Sequence, residues 1–144
     1  MEWNYFDIVQ HAKKRYSRVL EPVCRRWELT RSELDVLLFL ANNPGFDRAA
    51  DIVAGRGMAK SQVSSSLVTL EQRGMVRRSE DSADRRTVRI RLTEEAAEPV
   101  RMGREAQERF FRSLYEGVTP EERDALLSLM TKVRENLLRT DEKA

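Results

Sequence analysis

Between residues 60 and 92 the spacing of the apolar residues changes once, and that change limits the folds open to the chain. Val63, Leu67 and Leu70 recur at i, i+4 and i+7, the period of one helical face, and Gly74 stops the run. Val88, Ile90 and Leu92 then alternate with Thr87, Arg89 and Arg91, the period of a strand. A short strand from Val76 to Glu80, a turn over Asp81 to Asp84 and a returning strand from Arg85 to Leu92 complete a hairpin directly behind the helix.

The segments on either side read as helices. Tyr5, Val9, Ala12, Tyr16, Val19, Val23 and Trp27 mark a long first helix, in which Pro22 predicts a kink or a break. Thr30 and Glu33 have capping-box spacing and open a second helix carrying Leu34, Leu37, Leu38 and Ala41. Asp47 is placed to cap a short third helix through Ala54, with Gly55 and Gly57 supplying a tight turn before the fourth helix at Lys60. Helix, glycine turn and helix within about 27 residues is the helix-turn-helix arrangement, and the hairpin adds a wing to it. Thr93 is placed to cap a fifth helix running to about Glu116, and Thr119, Pro120 and Glu122 open a sixth whose stripe is Leu126, Met130, Val133 and Leu137. Leu127, Leu129 and Leu138 widen that stripe beyond what a peripheral helix needs, which implies a partner helix. The fold class expected is mainly α with a small β-hairpin wing, in one domain of 144 residues. Residues 29–92 are expected to form the winged helix-turn-helix lobe, and residues 1–28 and 93–144 a helical region, to which the family resemblance set out below assigns dimerisation.

Charge is informative only when divided along the chain. Residues 56–91 hold nine basic and four acidic side chains, whereas residues 1–55 balance at eight of each and residues 92–144 hold nine basic against twelve acidic. A positive field confined to one quarter of a near-neutral chain suits a polyanion, because each neutralised phosphate releases counterions. The exposed face of the fourth helix carries Lys60, Ser61, Gln62, Ser64, Ser65, Ser66, Thr69 and Arg73. Serine and threonine are indifferent helix formers, but their short side chains let a helix backbone approach a groove closely. Gln62 can bond adenine, and Lys60 can reach a phosphate. Arg77 and Arg78 on the first strand and Arg85 and Arg86 at the tip give the hairpin a cationic finger suited to a minor groove. Asp84 is expected to cap the turn or to hold an arginine in place.

Other chemistries find little support. One cysteine, Cys24, and one histidine, His11, offer no disulfide or metal-ligand spacing, so no cofactor is expected. No plausible nucleophile and base pair up, which argues against an enzyme. No apolar stretch approaches the roughly 18 to 20 residues of a membrane span, and no secretory leader opens the sequence; a cytoplasmic protein is expected. Cys24 lies in the apolar pattern of the first helix, where an inert buried thiol is favoured over a redox sensor despite Arg25 and Arg26 beside it.

Leu29-Thr30 with the Leu37-Leu38 helix, Lys60-Ser61-Gln62-Val63-Ser64, Leu70-Glu71-Gln72-Arg73-Gly74, Asp84-Arg85-Arg86 and Arg91-Leu92-Thr93-Glu94 together form a pattern that resembles the MarR family of bacterial transcription regulators. The resemblance covers nearly the whole chain. It departs from the family pattern at Ala59, where a serine or threonine usually caps the recognition helix, and at Ala96, where glycine is usual. What it implies is a homodimer built from the terminal helices, binding to double-stranded DNA at an operator, and relief by an effector molecule or a partner. The alternative is a winged helix that serves as a protein-interaction or architectural module without operator specificity.

Overall fold

The computed structural model describes residues 4–139. Six α-helices and one hairpin follow in the order α1 (Tyr5–Trp27), α2 (Arg31–Asn42), α3 (Ala49–Arg56), α4 (Lys60–Gln72), β1 (Val76–Glu80), β2 (Val88–Leu92), α5 (Ala97–Leu114) and α6 (Pro120–Arg139). A single 3₁₀ turn at Glu94–Ala96 leads into α5. Among the described residues this is the mainly helical, winged arrangement expected from the pattern.

The chain divides into two compact units, one ending at Phe110 and the other beginning at Phe111. In the first, α2 supplies the centre of the core: Leu34, Val36, Leu37 and Leu38 are almost wholly buried. Ile52 of α3, Val63, Leu67 and Leu70 of α4, and Val76 and Ile90 of the hairpin join the same cluster, as do Leu20 and Val23 of α1 and Val100 and Ala106 of α5. Each fully buried leucine contributes roughly 1.5–3 kcal/mol. Close approach matters at Gly55, where an added Cβ would lie 2.3 Å from the ring of Phe39.

Helix boundaries follow local chemistry. The Thr30–Glu33 box is closed in both directions, Glu33 N–H donating to Thr30 Oγ1 at 3.1 Å and Thr30 N–H to Glu33 Oε1 at 3.2 Å. Three expectations need correction. The first helix is not broken at Pro22: α1 continues to Trp27, with Leu20 and Val23 buried on either side of the proline and anchored to the core. Asp47 does not cap α3; Arg48 is the cap residue, and its N–H donates to Asp51 Oδ2 at 3.0 Å. Asp47 is used by the hairpin instead, its carbonyl accepting from Ile90 N–H at 2.8 Å. Thr93 makes no side-chain cap; its hydroxyl donates to the carbonyl of Gly74, which ties the base of the hairpin to the end of α4.

In the second unit, Thr119 and Glu122 close the predicted box, with Glu122 N–H on Thr119 Oγ1 at 3.2 Å and Thr119 N–H on Glu122 Oε2 at 2.9 Å. No residue of α6 is buried, and Leu126, Leu127, Leu129, Met130 and Val133 are exposed along it.

Candidate nucleic-acid interface

The start of α4 lacks a capping side chain at Ala59, and Gln62 partly compensates by accepting Ala59 N–H on Oε1 at 3.3 Å. The helix ends where Gly74, at φ +73°, turns the chain into β1, with Met75 N–H donating back to Leu70 O at 2.9 Å. Val63, Leu67 and Leu70 point into the core, which leaves Lys60, Ser61, Gln62, Ser64, Ser65 and Thr69 exposed on the other side.

Two residues assigned to that face from the sequence stand elsewhere. Ser66 is only 5% exposed. At about 100° per residue it falls roughly 60° from Val63 on the Leu70 side, inside the buried arc. Arg73 is turned away from the reading face: its guanidinium donates to Glu28 O at 2.7 Å and Trp27 O at 2.6 Å, closing the carbonyl end of α1. Glu28 there has φ +51°, so the helix stops abruptly and its last carbonyls need a donor.

Val68 was missed. It is 43% exposed and sits between Ser61, Ser64 and Ser65 on the polar face, an apolar patch among hydroxyls. Its i+5 spacing from Val63 was the available signal, since that offset falls outside the buried stripe.

The hairpin pairs Val76 with Leu92, Arg77 with Arg91, Arg78 with Ile90, Ser79 with Arg89 and Glu80 with Val88. The second strand begins at Val88 and not at Arg85, so Arg85 and Arg86 belong to a longer tip. That tip is built by two aspartates. Asp84 Oδ1 accepts Arg86 N–H at 3.0 Å and Oδ2 accepts the Thr87 hydroxyl at 3.2 Å, so its role is the local turn and not a salt bridge. Asp81 Oδ1 accepts Ala83 N–H at 2.9 Å, and its other oxygen accepts from Arg89 Nε at 3.0 Å. The Ala83 N–H first, and Arg89 second, hold the Asp81 carboxyl below the usual aspartate range. Arg89 also reaches Asp47 at 2.7 Å; Asp47 first and Asp81 second raise its already high pKa. The wing is thus pinned to the segment before α3. Arg78 pairs with Glu71 of α4 at 3.1 Å. Arg85 and Arg86 are exposed and have no ion pair among the described residues.

Cys24 is half-buried, and burial pushes its thiol pKa up, more than the opposing charge of Arg31 lowers it. No cluster of three metal-ligating side chains occurs among the described residues, and no helix of theirs is long and apolar enough to cross a membrane.

Comparison with known proteins places this geometry in context. A sequence profile described as the MarR family matches residues 27–87, the span from the end of α1 to the wing tip. The HTH-type transcriptional regulator YfiV of Bacillus subtilis is 32% identical over 123 residues, covering 76% of this chain and 69% of YfiV. The chain spans about two thirds of the length of the Bacillus relatives it matches. Bordetella bronchiseptica BpsR, whose DNA binding is regulated by 6-hydroxynicotinic acid, is 25% identical with a TM-score of 0.66 over 88% of this chain and 96% of BpsR. Staphylococcus aureus MepR, solved in complex with DNA, shares the fold at 19% identity and a TM-score of 0.75, over 94% of this chain and 99% of MepR.

Proposed function

The chain belongs to the MarR family of winged-helix transcription regulators, and from that premise we propose that it is a homodimeric repressor which binds a pseudo-palindromic operator and is released by a small-molecule effector. The observation that carries this reading is the presence, on one lobe, of a short-side-chain face on α4 and two unpaired arginines at the tip of a pinned wing. A close-approach helix fits the major groove, and an arginine finger beside it fits the minor groove.

In this reading Lys60 bonds a phosphate at the entry of α4, while Ser61, Gln62, Ser64, Ser65 and Thr69 meet backbone and base edges. Val68 covers a thymine methyl, the apolar feature that the major groove offers. Arg85 and Arg86 enter the minor groove, and Arg77 and Arg78 add positive field along the wing. Residues 29–92 act as the reading lobe and the terminal helices as the dimerisation region. The exposed leucines of α6 support that division, since an apolar row of this kind is stable in water when a second copy covers it. A two-fold dimer sets its two α4 helices about 34 Å apart, in successive major grooves. MepR, a protein of the same fold, has been solved with DNA, which supports the docking mode. The likeness to BpsR supports effector control, which works only through a difference in the ligand's affinity for the two states. The protein acts by binding, with no catalytic step and no cofactor.

A gel-shift titration against the DNA flanking its own coding region, at two salt concentrations, tests the reading. Preference over random DNA that survives the higher salt is expected; equal affinity for both would leave the architectural alternative standing. Sedimentation equilibrium tests the dimer.

A further inference from the structure

The arginines on one face of the wing differ in their partners. Arg89 receives two carboxylates, Asp47 and Asp81. Arg77 and Arg91, on the same face, receive none among the described residues. They are Cα partners across the ladder. Thr93 N–H donates to Met75 O at 3.0 Å at one end of the hairpin and Asp81 N–H to Thr87 O at 2.8 Å at the other, so the alternation makes Arg77 and Arg91 a hydrogen-bonded pair. Such pairs hold their Cα atoms about 5.5 Å apart. Two like charges directly opposite each other destabilise a hairpin, and both side chains are exposed. They line a cleft of about 640 Å³ together with Ser79, Leu92, Thr93 and Arg78, whose guanidinium is already paired with Glu71. Glu94 and Glu95 line it too, yet neither forms an ion pair with these arginines.

We propose that Arg77 and Arg91 form a phosphate clamp at the base of the wing, in which one phosphate group bridges the two guanidinium forks. Guanidinium presents planar paired donors that match phosphate oxygens, and a bridging phosphate anion replaces the repulsion between strands with attraction to both. The phosphate comes either from the backbone of bound DNA or from a free phosphate-bearing molecule. The first source rests on the operator-binding reading; the second does not.

Arg91→Gln and Arg77→Gln, each measured in the full-length protein, separate these cases. In dilute chloride both variants melt at or above the wild-type temperature, because one of two opposed charges is gone. Inorganic phosphate, compared with chloride at equal ionic strength, raises the wild-type melting temperature and leaves the variants unmoved if the clamp takes free phosphate. If it takes a DNA phosphate, the slope of log affinity against log salt becomes shallower by about 0.9 in each variant, a roughly three- to fourfold change in relative affinity between about 50 and 200 mM salt. Arg86→Ala serves as the control for operator binding itself. If that control loses DNA affinity while Arg77→Gln and Arg91→Gln change neither slope nor phosphate response, the clamp is overturned and the operator reading stands. If the wild type shows no preference for any DNA but retains a phosphate response that both variants lack, the clamp stands without that reading.

Discussion

Replacing Arg73 by alanine separates a structural role from a DNA-binding one at a position where the sequence pointed to the latter. The side chain makes two short hydrogen bonds, to the carbonyls of Glu28 and Trp27, at the end of α1. A bond from a charged donor contributes about 1.5–3 kcal/mol when sheltered, and a cation at a helix C-terminus adds about 0.3–1 kcal/mol. Arg73 is exposed, so water competes for both carbonyls and takes them over once the guanidinium is removed. The loss is therefore expected near the low end, about 1–2 kcal/mol in total. For a protein of this size that corresponds to a drop of roughly 3–8 °C in melting temperature. The assay is thermal and urea unfolding at fixed protein concentration, run beside a salt titration of DNA binding. The expected result is a less stable protein whose salt slope on DNA is unchanged. An Arg73→Ala variant with wild-type stability and a slope shallower by about one phosphate would refute the capping assignment and return Arg73 to the interface.

Gly55→Ala should destabilise the protein even though alanine is the better helix former by about 1 kcal/mol, because the new Cβ displaces the Phe39 ring and overpacking costs about 1–3 kcal/mol; urea midpoints read the sign. Because the folded pKa of Asp81 is depressed, its contribution is present above the ordinary aspartate value near 3.9 and is lost as pH falls through the lower folded value. Hydrogen exchange at Ala83 should lose protection in that acid window, and Asp81→Asn should remove the pH dependence. Cys24, with its pKa raised by burial, should alkylate several-fold more slowly at pH 8 than in the unfolded chain; equal rates would return the thiol to consideration as a sensor. Val68→Ala should lower affinity for an operator containing thymine and leave affinity unchanged for one in which uracil replaces that base, as measured by competition binding.

What could be read from the sequence was set by local physics. The Thr30–Glu33 and Thr119–Glu122 boxes, the stop at Gly74 and the two-residue alternation of Val88, Ile90 and Leu92 act over a few residues, and all four occur where they were expected. The errors involve partners distant in sequence. Asp47 reads as a helix cap until the fold brings Arg89 beside it, and Arg73 reads as a groove cation until the end of α1 lies within its reach. Ser66 was misplaced for a different reason, since serine carries no hydrophobic signal and the buried arc of α4 is wider than its three apolar residues suggest. Val68 is the converse case, an apolar residue outside the stripe. The exposed row on α6 was legible because its apolar spacing is local.

Selection of bound DNA from genomic fragments by the purified protein tests the central claim most directly. A winged-helix dimer reading with α4 and the wing predicts enrichment of an inverted repeat with half-site centres about 10 base pairs, one helical turn, apart. Recovery of fragments with no shared motif, at the frequency of the input, would contradict it.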